Sequence, residues 1–310
     1  MAYINVDEVY ILDNTGLQVD MATDIPFADA GFSDTQKAQA RKNIGAGGSN
    51  VSLLDNGWFT VNQRSSTSGS SAGYFVDRWK LSLGGGGSVS WSLSSGILTI
   101  TGTATYLEQK PMDDVSWMVG KTFTLSVMLS DGTIESGTFT RTASTQTIFT
   151  GTNYYAYMGS NGFVGLSISG TVALQAVKLE LGTTSTLAND TPPEYGTELA
   201  KCQRYFVRLK STNSYCPFGT ALGASTNAAY IFVPLSVTLR ALPTSVSSSA
   251  IAQFSLYGES GDYAMSSISV RGITPNGVTL AGTATGVTTH GTYSFICKDA
   301  TSYIDISADL

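Results

Sequence analysis

The sequence predicts an all-β protein: two β-sandwich, jelly-roll-like domains after a short N-terminal segment that carries one short helix. Three observations predict it. Charged residues make up only 13% of the chain, while Gly numbers 33 and Ser and Thr recur throughout. That mixture suits polar-faced strands joined by turns better than amphipathic helices. Hydrophobic residues reach 42%, enough to build cores and too many for a disordered chain. Clear two-residue alternation also occurs: Phe123, Leu125, Val127 and Leu129 point one way, and Thr122, Thr124 and Ser126 the other, before a turn at Ser130-Asp-Gly132.

Taken in order, residues 1–50 read as a leader unlike the rest. Val9-Tyr-Ile-Leu12 is a short apolar run and Asp13-Asn-Thr-Gly16 a turn. Ser33 can cap a helix over 34–44, with Gln36 in capping-box register, Ala38, Ala40 and Arg41 as helix formers and Gly45 as the stop. A helix this short is marginal in water, so it needs another part of the chain or a copy of itself to pack on. Gln36, Ala40 and Ile44 are its candidate attachment and oligomerisation residues. Gly47-Gly-Ser-Asn50 is a flexible joint.

Residues 51–190 read as the first sandwich. Leu98 and Ile100 alternate with Thr99 and Thr101 over 97–105, and Gly84–Gly87 reads as a loop. The strand over 172–181 is expected to turn Val177, Leu179 and Leu181 inward and Lys178 and Glu180 outward. Thr191-Pro-Pro193 marks the next boundary, because paired prolines stop both helix and ladder. In 191–310 a helical turn near Glu194 precedes strand candidates at 230–239, 251–257, 267–271, 292–297 and 303–307. Pro234 within the first of these suggests an edge or a bulge.

Composition narrows the function. A net charge of −6 and the lack of a basic stripe argue against nucleic acid and anionic membranes as partners; Lys37, Arg41 and Lys42 read as a solvated helix face. No secretory signal opens the chain, and the longest apolar run, 228–237, is too short to span a bilayer. Cys202, Cys216 and Cys297 lack metal-site spacing and read as reduced thiols of a protein made in a cytosol.

The chemistry expected of an enzyme is thin. His290 is the single histidine and sits in a loop without neighbouring ligands. Ser71 matches a nucleophile-elbow pattern at Gly69-Ser-Ser-Ala-Gly73, but no strand-to-helix context surrounds it. Asp113 and Asp114 are adjacent, so an extended backbone points them apart and they cannot straddle one glycosidic bond. Asp55-Asn-Gly57 lacks the spaced carboxylates of a calcium loop, and Gly84–Gly87 lacks the Lys-Ser/Thr of a phosphate cradle. No catalytic residue, metal or cofactor is therefore expected. Sugar binding has the better support, since pyranose faces stack on aromatic rings beside polar groups. The candidate glycan-binding residues are Asn153, Tyr154, Tyr155, Tyr157 and Trp117, with Tyr257 and Tyr263 as a second tip. The same rings could instead fill a core or a subunit interface, which is the reading for Trp58 and Trp79.

The stretch Thr35-Gln-Lys-Ala-Gln-Ala-Arg-Lys-Asn-Ile-Gly-Ala46 resembles the helix that joins leader to distal domain in tail fibres of tailed bacteriophages. Leu54-Asp-Asn-Gly-Trp-Phe-Thr-Val-Asn-Gln-Arg64, Val76-Asp-Arg-Trp79 and Val177-Lys-Leu-Glu-Leu-Gly182 are similar to the opening and closing of a carbohydrate-binding-like jelly roll in such receptor-binding proteins. Leu199-Ala-Lys-Cys-Gln-Arg-Tyr-Phe206, Leu239-Arg-Ala-Leu-Pro-Thr244 and Ile306-Ser-Ala-Asp-Leu310 resemble the same proteins further on. The resemblance implies a virion structural protein synthesised in the bacterial cytoplasm. It also implies a homotrimer whose residues 1–50 dock on tail, baseplate or capsid proteins and whose β domains bind host-surface polysaccharide without catalysis. No repeating shaft separates leader from β domains, which favours a stubby appendage. A purely architectural head or tail decoration, or a glycan-degrading tailspike, are the alternatives.

Overall fold

Ser- and Thr-rich strands with alternating apolar residues must bury one face, and the computed structural model shows how. It describes residues 10–12, 18–20 and 49–310, and the chain divides into two units, 1–49 and 50–310. In the first unit β1 (Tyr10–Leu12) and β2 (Gln18–Asp20) pair antiparallel, Ile11 opposite Val19. The expected helix over 34–44, with Gln36, Ala40 and Ile44, lies outside the described residues.

The second unit is all-β apart from one α-helix and short 3₁₀ turns among the described residues. Its first body contains β3 (Ser68–Gly69), β4 (Gly73–Val76), β5 (Trp79–Ser94), β6 (Ile97–Gln109), β7 (Thr122–Leu129), β8 (Ile134–Thr140), β9 (Gln146–Gly151), β10 (Tyr154–Met158), β11 (Val164–Ile168) and β12 (Thr171–Leu181). The long β5–β6 hairpin is its spine. The first half of β6 continues through β12 and β7 to β8, the second half through β11 and β10 to β9. The two branches enclose one core, in which Trp79, Leu98, Ile100, Leu107, Phe123 and Leu166 are fully buried.

Gly84–Gly87 is not a loop but part of β5: the register with β6 shifts between Leu83 and Ser88, forming a bulge. Glycine is required there, because Gly86 has φ +71° and a Cβ on Gly87 would lie 2.9 Å from the Ala104 carbonyl oxygen. β12 also departs from simple alternation. Lys178 and Glu180 are buried rather than solvated, and Leu181 is 52% exposed. Lys178 Nζ donates to Asp190 Oδ1 at 2.9 Å, while Thr186 donates to both Glu180 oxygens from its backbone N–H (2.7 Å) and its hydroxyl (2.6 Å). The loop after β12 folds over the strand and satisfies its charges.

Pro192 and Pro193 end the extended run, and the Glu194 carboxylate caps α1 (Tyr195–Gln203) by accepting from Gly196 N (2.7 Å) and Thr197 N (2.6 Å). The second body follows: β13 (Phe206–Lys210), β14 (Pro217–Ser225), β15 (Ala228–Pro234), β16 (Ser245–Ser248), β17 (Phe254–Gly258), β18 (Gly261–Thr274), β19 (Gly277–Ala284), β20 (Thr292–Cys297) and β21 (Tyr303–Ser307). β14, β15, β19, β18, β17 and β20 close into a barrel, and β13, β21 and β16 form a separate sheet. Closure removes the exposed edges that an open sheet would carry. Pro234 ends β15 opposite Gly277; since β15 is paired on both sides, the proline marks a strand end and not an edge.

The two bodies are joined by a buried polar seam. Arg64 donates to Asp309 Oδ2 at 2.6 Å with its guanidinium 3.7 Å over the Phe206 ring. Gln63 Nε2 donates to the Phe206 carbonyl at 2.7 Å, Arg208 donates to the Arg64 carbonyl, and the Tyr74 hydroxyl donates to the Leu310 carbonyl. Asn56 N–H donates to the buried Glu198 of α1, and Arg78 lies 3.3 Å over Tyr205. Cys202, Cys216 and Cys297 are free thiols.

Candidate functional site

The outer face of the β9–β10–β11–β6–β5 branch carries two rows of side chains that alternation turns away from the core. One row runs Tyr155, Ser167, Tyr106, Ser82 across four strands, each opposite the next in register. The other runs Tyr157, Gly165, Glu108, Lys80 and ends on Tyr74 of β4. The inward residues between them, Ala156, Leu166, Leu107 and Leu81, are fully buried. The sheet thus holds the rows at fixed spacing.

Three rings form a cluster on this face. Tyr106 meets Tyr157 edge-on at 5.8 Å between centroids, and Tyr155 meets Tyr157 at 6.3 Å. Tyr155 is 38% exposed, Tyr106 half-buried and Tyr157 buried. At their foot lies the buried Glu108 carboxylate, which accepts from the Ser82 hydroxyl at 2.5 Å and from the Tyr157 hydroxyl at 2.6 Å. Burial, and then the hydrogen bond to Glu108, push the Tyr157 phenol well above its ordinary value, so it stays a donor. Gly165 makes the bond possible. It separates Tyr157 from Glu108 across β11 and leaves no side chain between them, and a Cβ there would lie 1.9 Å from the Leu107 carbonyl oxygen. Lys80 adds a cation beside Glu108, its Nζ 5.2 Å from the Phe163 ring.

The part-exposed Tyr155 and Tyr106 rings, backed by the buried Tyr157–Glu108 pair and flanked by the Lys80 ammonium, suit a sugar's apolar face and its hydroxyls. In these two rows Glu108 is the only carboxylate, whereas glycoside hydrolysis ordinarily uses a pair.

The expected site residues divide accordingly. Tyr155 and Tyr157 come together on the platform. Tyr154 does not: it is 3% exposed, packs edge-on against Phe149 at 6.2 Å and donates to Glu135, because the residue before Tyr155 must face the other side of the sheet. Asn153, with φ +67°, shapes the turn before β10 and donates to the Thr171 carbonyl at 3.1 Å. Trp117 is 38% exposed and stands on a 3₁₀ turn, edge-on to Phe123 at 6.0 Å with Lys121 over its ring. Tyr257 and Tyr263 do not make one tip. Tyr257 is 54% exposed, but Tyr263 pairs with the inward Leu256 and packs edge-on against Tyr293 at 5.5 Å.

The sequence does not announce Tyr106, Glu108, Lys80 and Ser82: the strand expected from alternation ends at Thr105, whereas β6 runs on to Gln109.

Asp113 pairs with Arg240, and Asp114 accepts from Ser116 N at 2.8 Å in a turn. Asn56, φ +54°, shapes the tight turn at 55–57 by hydrogen-bonding Val61 and the Asp77 carbonyl. Among the described residues, no group of three or more His, Cys, Asp or Glu is placed to hold a metal, and no helix is long and apolar enough to cross a membrane. Comparison of the chain with protein-family models, curated proteins and solved structures returned no match.

Proposed function

We propose that this chain is a non-catalytic, glycan-binding appendage of a tailed-phage virion. In this reading it assembles as a homotrimer, residues 1–50 attach it to tail, baseplate or capsid proteins, and the β bodies face the host surface. The single observation that carries the binding half is the platform of Tyr106, Tyr155 and Tyr157 over the hydrogen-bonded Glu108. The virion half is supported by the ordered sequence motifs alone. An open ring platform gives weak contacts one at a time, and copies on one trimer gain avidity by effective concentration.

The test is binding of purified full chain to an array of bacterial surface polysaccharides, alongside Tyr155→Ala. The exposed Tyr155 ring can be removed with little loss of packing, so the variant is expected to fold normally and lose most of its array signal. An unchanged signal, release of reducing ends from a bound polysaccharide, or a stable monomer by light scattering would each contradict part of the proposal.

A further inference from the structure

A second face, on the barrel, carries a different set of groups. On β14 and β15 alternation turns Ala221, Ile231 and Val233 inward and leaves Leu222, Tyr230 and Phe232 outside, 46%, 38% and 49% exposed. Leu222 pairs with Tyr230 and Thr220 with Phe232, while Thr279 of β19 stands opposite Phe232 and Thr292 of β20 opposite Leu222. Together they line a depression of about 300 Å³, near the lower end of the size range for small-molecule sites.

Beside Tyr230, one of the lining residues, stands Arg271, in the bulge of β18 between Val270 and Gly272. Its guanidinium lies 3.6 Å over the Tyr230 ring. That stacking is the one interaction of the Arg271 side chain: no hydrogen bond or ion pair within the described residues engages its donors. A planar fork held in place by a ring, with its edge unused, is preorganised for a carboxylate.

We infer that the barrel depression binds an acidic saccharide of the uronate type, its ring lying against Tyr230 and Phe232, its hydroxyls on Thr220, Thr279 and Thr292, and its carboxylate on Arg271. The inference rests on the glycan-binding reading for its ligand class and adds a second locus with its own charge preference. A copy of the same face docked on this one would bring like guanidinium groups together without an acidic partner, so self-association is the less favourable occupant.

The experiment titrates full-length protein with tetragalacturonic acid and, separately, with its fully methyl-esterified form, followed by NMR and calorimetry at low and high salt. The acid is expected to bind the wild type more tightly than the ester and to weaken with salt. Arg271→Gln is expected to lower affinity for the acid by about tenfold and leave the ester unchanged. Arg271→Lys, which keeps the charge and loses the fork, should fall between them. Tyr155→Ala should not alter binding of the acid.

Equal binding of acid and ester, no effect of Arg271→Gln, or no binding of the acid at about 10 mM overturns the inference. So does conversion of an oligomer to monomer by Phe232→Ser, which assigns the face to self-association. If polysaccharide binding is lost in Tyr155→Ala while the acid fails to bind, this inference alone is wrong. If the acid binds and Tyr155→Ala changes nothing on the array, the platform reading is the one that fails.

Discussion

Replacing Asp77 with Ala tests the seam between the two bodies. The Asp77 side chain is fully buried and accepts from Gln63 N at 2.6 Å and Gln63 Nε2 at 2.7 Å, with Arg64 Nη1 at 3.9 Å. Hydrogen bonds to a charged group contribute about 1.5–3 kcal/mol each, so two amount to about 3–6 kcal/mol. Removing the carboxylate also ends the penalty of burying it. That penalty is visible in the protonation of Asp77: burial lifts its pKa above the ordinary 3.8, outweighing the opposing pull of Arg64 and Gln63. Arg64 keeps Asp309, so its charge is not orphaned. The net loss is therefore set by the Gln63 N–H left without an acceptor, about 1–3 kcal/mol, since Gln63 Nε2 keeps the Phe206 carbonyl. The sign of the pH dependence follows. Above pH 3.8, up to the raised native value, the folded state binds more protons than the unfolded chain, so this carboxyl adds stability as pH falls through that window. The gap between wild type and Asp77→Ala should widen toward acid. Urea titration is the assay, and the protein supplies its own probe: Trp58, Trp79, Trp91 and Trp117 all lie in the first body. Tryptophan emission and far-UV circular dichroism should coincide in the wild type and separate in the variant as the barrel uncouples. A loss below about 0.5 kcal/mol, the level of an ordinary surface substitution, or a gap that narrows toward acid, would refute the reasoning.

Three further outcomes are expected. Tyr157→Phe removes the donor to Glu108 Oε2 and should lower unfolding stability by about 1.5–3 kcal/mol in denaturant titration, together with a loss of polysaccharide affinity. Tyr74, half-buried and near Asp309, has its pKa pushed up to about 12 from 10.0 by desolvation and then by Asp309, so its contribution is intact below pH 10 and is lost as pH rises through 12. Tyr74→Phe should therefore flatten part of the alkaline fall in stability, measured by denaturation at stepped pH. Gly165→Ala forces a Cβ to within 1.9 Å of the Leu107 carbonyl oxygen and should part β11 from β6, seen as faster amide exchange at Leu166 and Leu107 and a stability loss of about 1–3 kcal/mol or more.

Much of the fold could be read from alternation, and the limits of that reading are physical. Phe123, Leu125 and Val127 are fully buried as their spacing demanded, and β20 and β21 match their expected bounds residue for residue. Alternation names which residues share a face but not what covers the other one. That is why Lys178 and Glu180, correctly placed on one side of β12, turned out buried beneath the loop that carries Thr186 and Asp190. Local composition misled at Gly84–Gly87: glycines that look too loose for a ladder are what lets a long strand bend within it. The platform was half legible. Tyr155 and Tyr157 lie two residues apart on one strand and so share a face, whereas Tyr106, Glu108 and Lys80 join them only through pairing across β11 and β6, a long-range register that no local pattern encodes. Arg271 escaped for the same reason, since its partner Tyr230 lies on a strand two places away in the barrel.

Because Arg64, Gln63 and Arg208 stitch the first body to the second through Phe206, Asp309 and a backbone carbonyl, the stretch after Pro193 does not behave as a hinge. Torque applied at one body is passed to the other through ion pairs and stacked rings instead of being absorbed in a slack tether. Platform and depression consequently stand at a set separation and angle, and on the proposed glycan reading a molecule long enough to reach both would be sorted by whether its own spacing matches that gauge.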